Sequence, residues 1–112
     1  MNANAVPDVS AAEAVEMVRR GAVLLDVRED SEWAAGHAES AMHMPLGRLD
    51  SARLPKGYPV VAICRSGNRS GKAAARLQSE GCDVRNVAGG MAEWERAGFP
   101  VVTDSGAPGS LA

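Results

Sequence analysis

A chain of 112 residues, 46% apolar and 23% charged, has the size and balance of one globular domain that buries a core without needing a staple. A formal net charge of −2 gives no electrostatic footprint for nucleic acid or an anionic membrane, and neither is an expected partner. The apolar runs at residues 22–25 and 60–63 are far too short to span a bilayer, and the first four residues lack the basic and apolar start of a secretory signal, so the expected compartment is the cytoplasm.

Ser10 and Glu13 form an S-x-x-E capping box, and Ala11, Ala14, Val15 and Val18 then repeat at helical spacing. Arg19 and Arg20 suit the end of this helix and Gly21 stops it. Residues 22–27 are a continuous apolar run ending near Asp26, which reads as a buried strand. A short helix capped by Asp30 or Ser31 runs through Trp33 and Ala35 to Gly36. Residues 41–44 predict a short strand ended by Pro45, and residues 46–54 a helical turn or two before the turn at residues 55–59.

A second strongly apolar strand at residues 59–63 runs straight into Cys64. Beyond Gly67 the pattern turns helical, with a helix expected from near Gly71; Ala73, Ala74 and Leu77 share a face and Gly81 ends it. Residues 83–87 read as a strand, Met91 to Ala97 as a last helix, and the small residues from Thr103 onward as a frayed tail. Alternating helix and apolar strand predicts a parallel sheet covered on both faces, with no repeat and no second domain.

Cys64 lies where a parallel strand delivers the chain to the next helix, the usual ligand-binding end of an open α/β sheet. The segment after it, Arg65-Ser66-Gly67-Asn68-Arg69-Ser70, is small enough for its N–H groups to curl inward as an anion nest. The dipole of the following helix and the charges of Arg65, Arg69 and Lys72 add to this. All three effects favour a thiolate, and two arginines within five positions argue against a merely buried, inert cysteine.

Cys64-Arg65-Ser66-Gly67-Asn68-Arg69-Ser70 resembles the active-site loop of rhodanese-like domains. Residues 25–29 (LDVRE) resemble the family's D-V-R-E strand end. Glu32-Trp33, Gly36-His37, Ala41 and Met44-Pro45 resemble its E-[FW]-x-x-G-H…P segment, and Gly89-Gly90-Met91, Trp94 and Gly98-Phe99-Pro100 its closing motif. These pieces run in family order over residues 9–102, which makes the set specific. Two departures are minor: Ala38 where Ile or Leu is usual, and Cys82 where an aromatic is frequent.

The resemblance implies a single rhodanese-like α/β domain with a central, mainly parallel five-stranded sheet and helices on both faces. Residues 1–8 would be an N-terminal extension with a first short strand, 9–102 the domain and 103–112 a flexible tail. It implies a sulfurtransferase in which Cys64 takes a sulfane sulfur from thiosulfate or a persulfide donor and passes it to cyanide, a small thiol or a protein thiol. Arg65, Ser66, Gly67, Asn68, Arg69 and Ser70 would bind the substrate, with Arg65 at the loop mouth and Arg69 either joining it or bracing the loop. No external cofactor is expected, and the covalent cysteine persulfide is the intermediate. The expected partners are a small sulfur-containing anion and an acceptor that includes a protein thiol, on a monomer or weak dimer.

Other readings compete. A sulfur-relay module would share Cys64 but serve a partner protein with little thiosulfate turnover, and a regulatory domain would not need the thiol. Related phosphatases and arsenate reductases carry five residues between cysteine and arginine; here four separate Cys64 from Arg69, a ring better suited to one sulfur atom. Asp26 is expected to form an ion pair at its strand–loop junction, and Arg28 either does the same or supports the site. His37 and His43 read as turn or core residues, Trp33, Trp94, Met42, Met44 and Met91 as packing. Cys82 reads as a small buried residue, with a resolving thiol as the minor alternative. The cysteines and histidines match no zinc spacing, so no metal is expected.

Overall fold

In the computed structural model, which describes residues 5–111, the capping box forms as read: Ser10 Oγ accepts from Glu13 N–H at 3.0 Å and the Glu13 carboxylate accepts from Ser10 N–H at 2.9 Å. It opens α1 (Ala11–Arg19), which follows the short strand β1 (Asp8–Val9). Then come β2 (Val23–Asp26), α2 (Asp30–Ala35), β3 (Met42–His43), two 3₁₀ turns at residues 46–53, β4 (Val60–Ile63), α3 (Asn68–Ser79), β5 (Val84–Val87) and α4 (Gly90–Arg96). The cap of α2 is Glu29 rather than Asp30 or Ser31; its backbone N–H reaches the Glu32 carboxylate at 3.0 Å, a capping box that begins one residue earlier.

The five strands form one sheet in the order β1-β5-β4-β2-β3, and every pairing is parallel. Alternation along β4 divides its side chains between two cores. Val60, Ala62 and then Cys64 face the layer made by α3 and the 3₁₀ segment, with Leu49, Leu54, Ala73, Ala74 and Leu77. Val61 and Ile63 face α1 and α4, with Ala14, Met91 and Trp94. The sheet is therefore covered on both sides, and its central strands are apolar throughout.

From β4 the chain passes through α3 to β5 on one side, while from adjacent β2 it passes through α2 towards β3 on the other. Loops leaving the carboxyl ends of β2 and β4 thus diverge, and the crevice between them is where such sheets bind ligands.

The segment expected to be a flexible tail turns back on the domain. Val102 and His37 exchange backbone hydrogen bonds at 2.8 and 2.9 Å, and Ser110 N–H reaches the Ala35 carbonyl at 2.9 Å. Small residues permit this approach: Gly109 lies so close to Gly36 that a Cβ on it would sit 2.8 Å from the Gly36 Cα. The composition that suggested fraying is what lets two backbones meet.

Candidate active site

Cys64 is the residue after the last β4 position, fully buried, and strand alternation aims it at the α3 side. Gly67 then turns the chain at φ +101°, a conformation that suits glycine. Helix α3 begins at Asn68, three residues before the expected start near Gly71. Arg69 and Ser70 therefore sit in its first turn, where backbone amides have no partner within the helix.

The amide of Ser70 in this turn and those of Ser66 and Gly67 just before the helix converge on the sulfur. Gly67 N–H points to Cys64 Sγ at 3.1 Å, and the buried Ser70 hydroxyl lies 3.3 Å from the same atom. Burial alone would raise the pKa of this thiol. The Ser70 hydroxyl and the amides of Ser70, Ser66 and Gly67 outweigh it, so the net direction is downward.

The loop presents N–H groups inward because its carbonyls are held elsewhere. Met91 N–H donates to the Cys64 carbonyl at 2.7 Å and Ala92 N–H to the Arg65 carbonyl at 3.0 Å, both from the first turn of α4. Asn86 Nδ2 donates to the Gly67 carbonyl at 3.1 Å. This clamp needs Gly90, at φ +54°: a Cβ there would overlap the Cys64 carbonyl oxygen and lie 2.6 Å from Arg65 backbone atoms.

Of the two readings for Arg69, the geometry is that of a brace. Its guanidinium forks onto Glu32 of α2, with Nη1 and Nη2 at 2.5 and 2.8 Å from the two carboxylate oxygens. Hydrogen bonding to Arg69 holds the Glu32 carboxyl down at about 2, and the Arg69 guanidinium is raised in return. Arg65, Ser66 and Asn68 are exposed at the loop mouth.

Asp26 and Arg28 do not reach the sulfur pocket. They form a fully buried pair, Arg28 Nη2 to Asp26 Oδ2 at 2.8 Å, and the guanidinium also donates to the Gly36 carbonyl at 2.7 Å. Both act at the β2–α2 junction, and Arg28 takes the structural one of its two readings. His37 Nδ1 donates to the Trp33 carbonyl and His43 Nε2 to the Arg28 carbonyl, each at 2.8 Å. Trp33 is half-buried and stacks with both of these rings, 3.6 and 4.5 Å between centroids, rather than lying in an apolar core; Trp94 is in the core as expected.

Cys82 is at the other end of the sheet. It precedes Asp83, whose carbonyl accepts from Val60 N–H at the start of β4, and it lines a groove of about 420 Å³ with Pro55, Lys56 and Tyr58. The length of β4, roughly 13 Å at about 3.3 Å per residue, separates it from Cys64. Disulfides need Cα atoms within about 7 Å, so an intramolecular resolving role does not fit this fold.

Sequence reasoning missed Asn86 and the α4 amides, and passed over the partner role of Glu32. Asn86 carried a signal: an amide in the centre of a buried strand needs polar company. The clamp by Met91 and Ala92 runs through backbone atoms alone, which leave no side-chain pattern.

Fold and loop together define an α/β protein with a buried cysteine cradled at the carboxyl end of a central parallel strand. The sequence matches the model of the Rhodanese-like domain over residues 10–97, and the chain belongs to that family. It is 39% identical over 92 residues to an uncharacterized protein of Synechocystis sp., covering 80% of this chain and 51% of that protein, so it spans about half of that relative's length. It is 37% identical to a sulfurtransferase of Allochromatium vinosum over 75% of this chain and 81% of that one. The crystal structure of a rhodanese-related protein from Thermoplasma volcanium superposes with a TM-score of 0.80 at 30% identity, covering 88% of this chain and 99% of that one.

Proposed function

We propose that the protein is a sulfurtransferase that carries sulfane sulfur on Cys64, taking it from thiosulfate or a persulfide. The observation that supports this most is the inward-facing ring of amides and the Ser70 hydroxyl around a buried cysteine sulfur. The Cys64 thiolate attacks the outer sulfur of thiosulfate; the S–S bond of the donor breaks and its electron pair leaves on sulfite. The product is a Cys64 persulfide whose negative charge rests on the outer sulfur. An acceptor nucleophile such as cyanide, a small thiol or a protein thiol then attacks that outer sulfur, and the thiolate returns as leaving group.

Amides fixed before reaction stabilise charge without reorganising, which is the main electrostatic contribution such a loop makes. The ring is small: with the Gly67 amide already 3.1 Å from Sγ and four residues between Cys64 and Arg69, it suits one further sulfur atom better than a tetrahedral phosphate. No external cofactor enters either half-reaction. The same reading puts the chain in the cytoplasm, a reducing compartment where Cys64 keeps its thiol. Among the described residues no helix is long and apolar enough to cross a membrane.

Steady-state kinetics with thiosulfate and cyanide test the proposal. Parallel double-reciprocal lines, abolished in Cys64→Ser with folding unchanged, are expected. Turnover that survives in Cys64→Ser would overturn it. Rates with glutathione and a protein thiol in place of cyanide identify the preferred acceptor.

A further inference from the structure

Ser70 Oγ is fully buried and has two acceptors for one proton. Cys64 Sγ lies at 3.3 Å and Asn86 Oδ1 at 2.6 Å. The orientation of the Asn86 amide is fixed by its other end, since Nδ2 donates to the Gly67 carbonyl at 3.1 Å and to Asp8 Oδ1 at 3.2 Å. Both of those partners only accept, so Oδ1 must face the hydroxyl.

We propose that Asn86 is a positioning residue whose side-chain oxygen competes with the Cys64 sulfur for the Ser70 hydroxyl proton, so that the hydroxyl follows charge through the sulfur-transfer cycle. This rests on the proposed Cys64 chemistry. When Sγ is a thiolate, the hydroxyl donates to it. When Sγ is protonated, or when a persulfide has moved the charge to the outer sulfur, the hydroxyl turns to Asn86. A buried hydroxyl is then satisfied in every state, which a site with one acceptor would not achieve. The turn is a rotation about one C–O bond and involves no change in covalent structure.

The charged groups around this pocket are Arg65 and Arg69 of the loop and α3, Glu29 and Glu32 of the α2 side facing Arg69, and Asp8 of β1 behind Asn86. None of them is altered in the test. The rate of Cys64 alkylation by iodoacetamide is measured against pH in a Cys82→Ser background, for the parent, Asn86→Ala, Ser70→Ala and the double variant. Losing the Asn86 hold on the Gly67 carbonyl affects both backgrounds and cancels in the cycle. Losing the competing acceptor matters only where the hydroxyl is present.

The expected result is that Asn86→Ala places the alkylation midpoint about half to one pH unit lower with Ser70 present, relative to its effect in Ser70→Ala. Equal effects in the two backgrounds, or a shift of opposite sign, would overturn the proposal. A second readout needs no pocket variant: the side-chain carbonyl carbon resonance of Asn86 should titrate with the Cys64 midpoint in the otherwise unaltered protein. A resonance that stays flat through that midpoint would equally sink it. Neither measurement uses a sulfur donor, so loss of sulfur transfer and loss of this coupling are separate results.

Discussion

Replacing Gly90 by alanine puts a methyl group against the carbonyl oxygen of Cys64 and 2.6 Å from the carbonyl carbon and oxygen of Arg65. Two costs add. A non-glycine residue at φ +54° loses about 1–2 kcal/mol. Moving α4 off the loop weakens the Met91 and Ala92 hydrogen bonds at 2.7 and 3.0 Å, about 1 kcal/mol each. The sum is about 3–4 kcal/mol, a large part of the roughly 5–15 kcal/mol that a domain of this size possesses. Gly21→Ala supplies the control, because Gly21 has φ +105° with nothing within 4 Å of a Cβ, so it reports backbone strain alone. Denaturant unfolding of both variants should show Gly90→Ala as the more damaging by about 2 kcal/mol, with Cys64 alkylation shifted to higher pH as the loop carbonyls rotate. If the two variants lose equal stability and Cys64 titrates as before, α4 does not hold the loop and the reasoning fails.

Glu32 has its carboxyl held at about 2 by Arg69, against an ordinary 4.5, so its contribution is present above the unfolded value and is lost as pH falls through about 2. Between about pH 5 and 2 the parent should lose about 1–2 kcal/mol more than Glu32→Gln, the partial exposure of the pair screening the rest; identical acid unfolding curves would contradict the pairing. Arg28→Ala strands the Asp26 carboxylate in a dry site and should cost about 3–5 kcal/mol in urea unfolding, whereas a loss under 1 kcal/mol would show that the pair is dispensable. Cys82→Ser, at the opposite end of the sheet, should leave both sulfur turnover and oxidant sensitivity as they are, and a change in either would show that the two thiols meet.

The elements that residues 10–97 form were legible wherever a local rule decided them. Ser10 and Glu13 announced α1 and the unbroken apolar run at residues 60–63 announced a central strand. Cys64 stood out because arginines followed it where an apolar residue would be ordinary. Features that depend on distant partners were less legible. The start of α3 at Asn68 depends on the left-handed turn at Gly67, and a glycine reads equally as loop. The pairing of Arg69 with Glu32 crosses 37 positions, and that of Asn86 with Asp8 crosses 78. The fold-back of residues 103–111 combines backbone contacts between small residues with Asp104, which meets Trp33 Nε1 and His37 Nε2, and Leu111 on the core; these partners are far away in sequence, and composition suggested only mobility.

Mass spectrometry of the intact protein after incubation with thiosulfate, followed by peptide mapping without reductant, tests the sulfur-carrier claim most directly. A gain of one sulfur atom on the peptide holding Cys64, removed by cyanide, is the predicted result. Protein that stays unmodified, or that carries the added sulfur on Cys82, would contradict it.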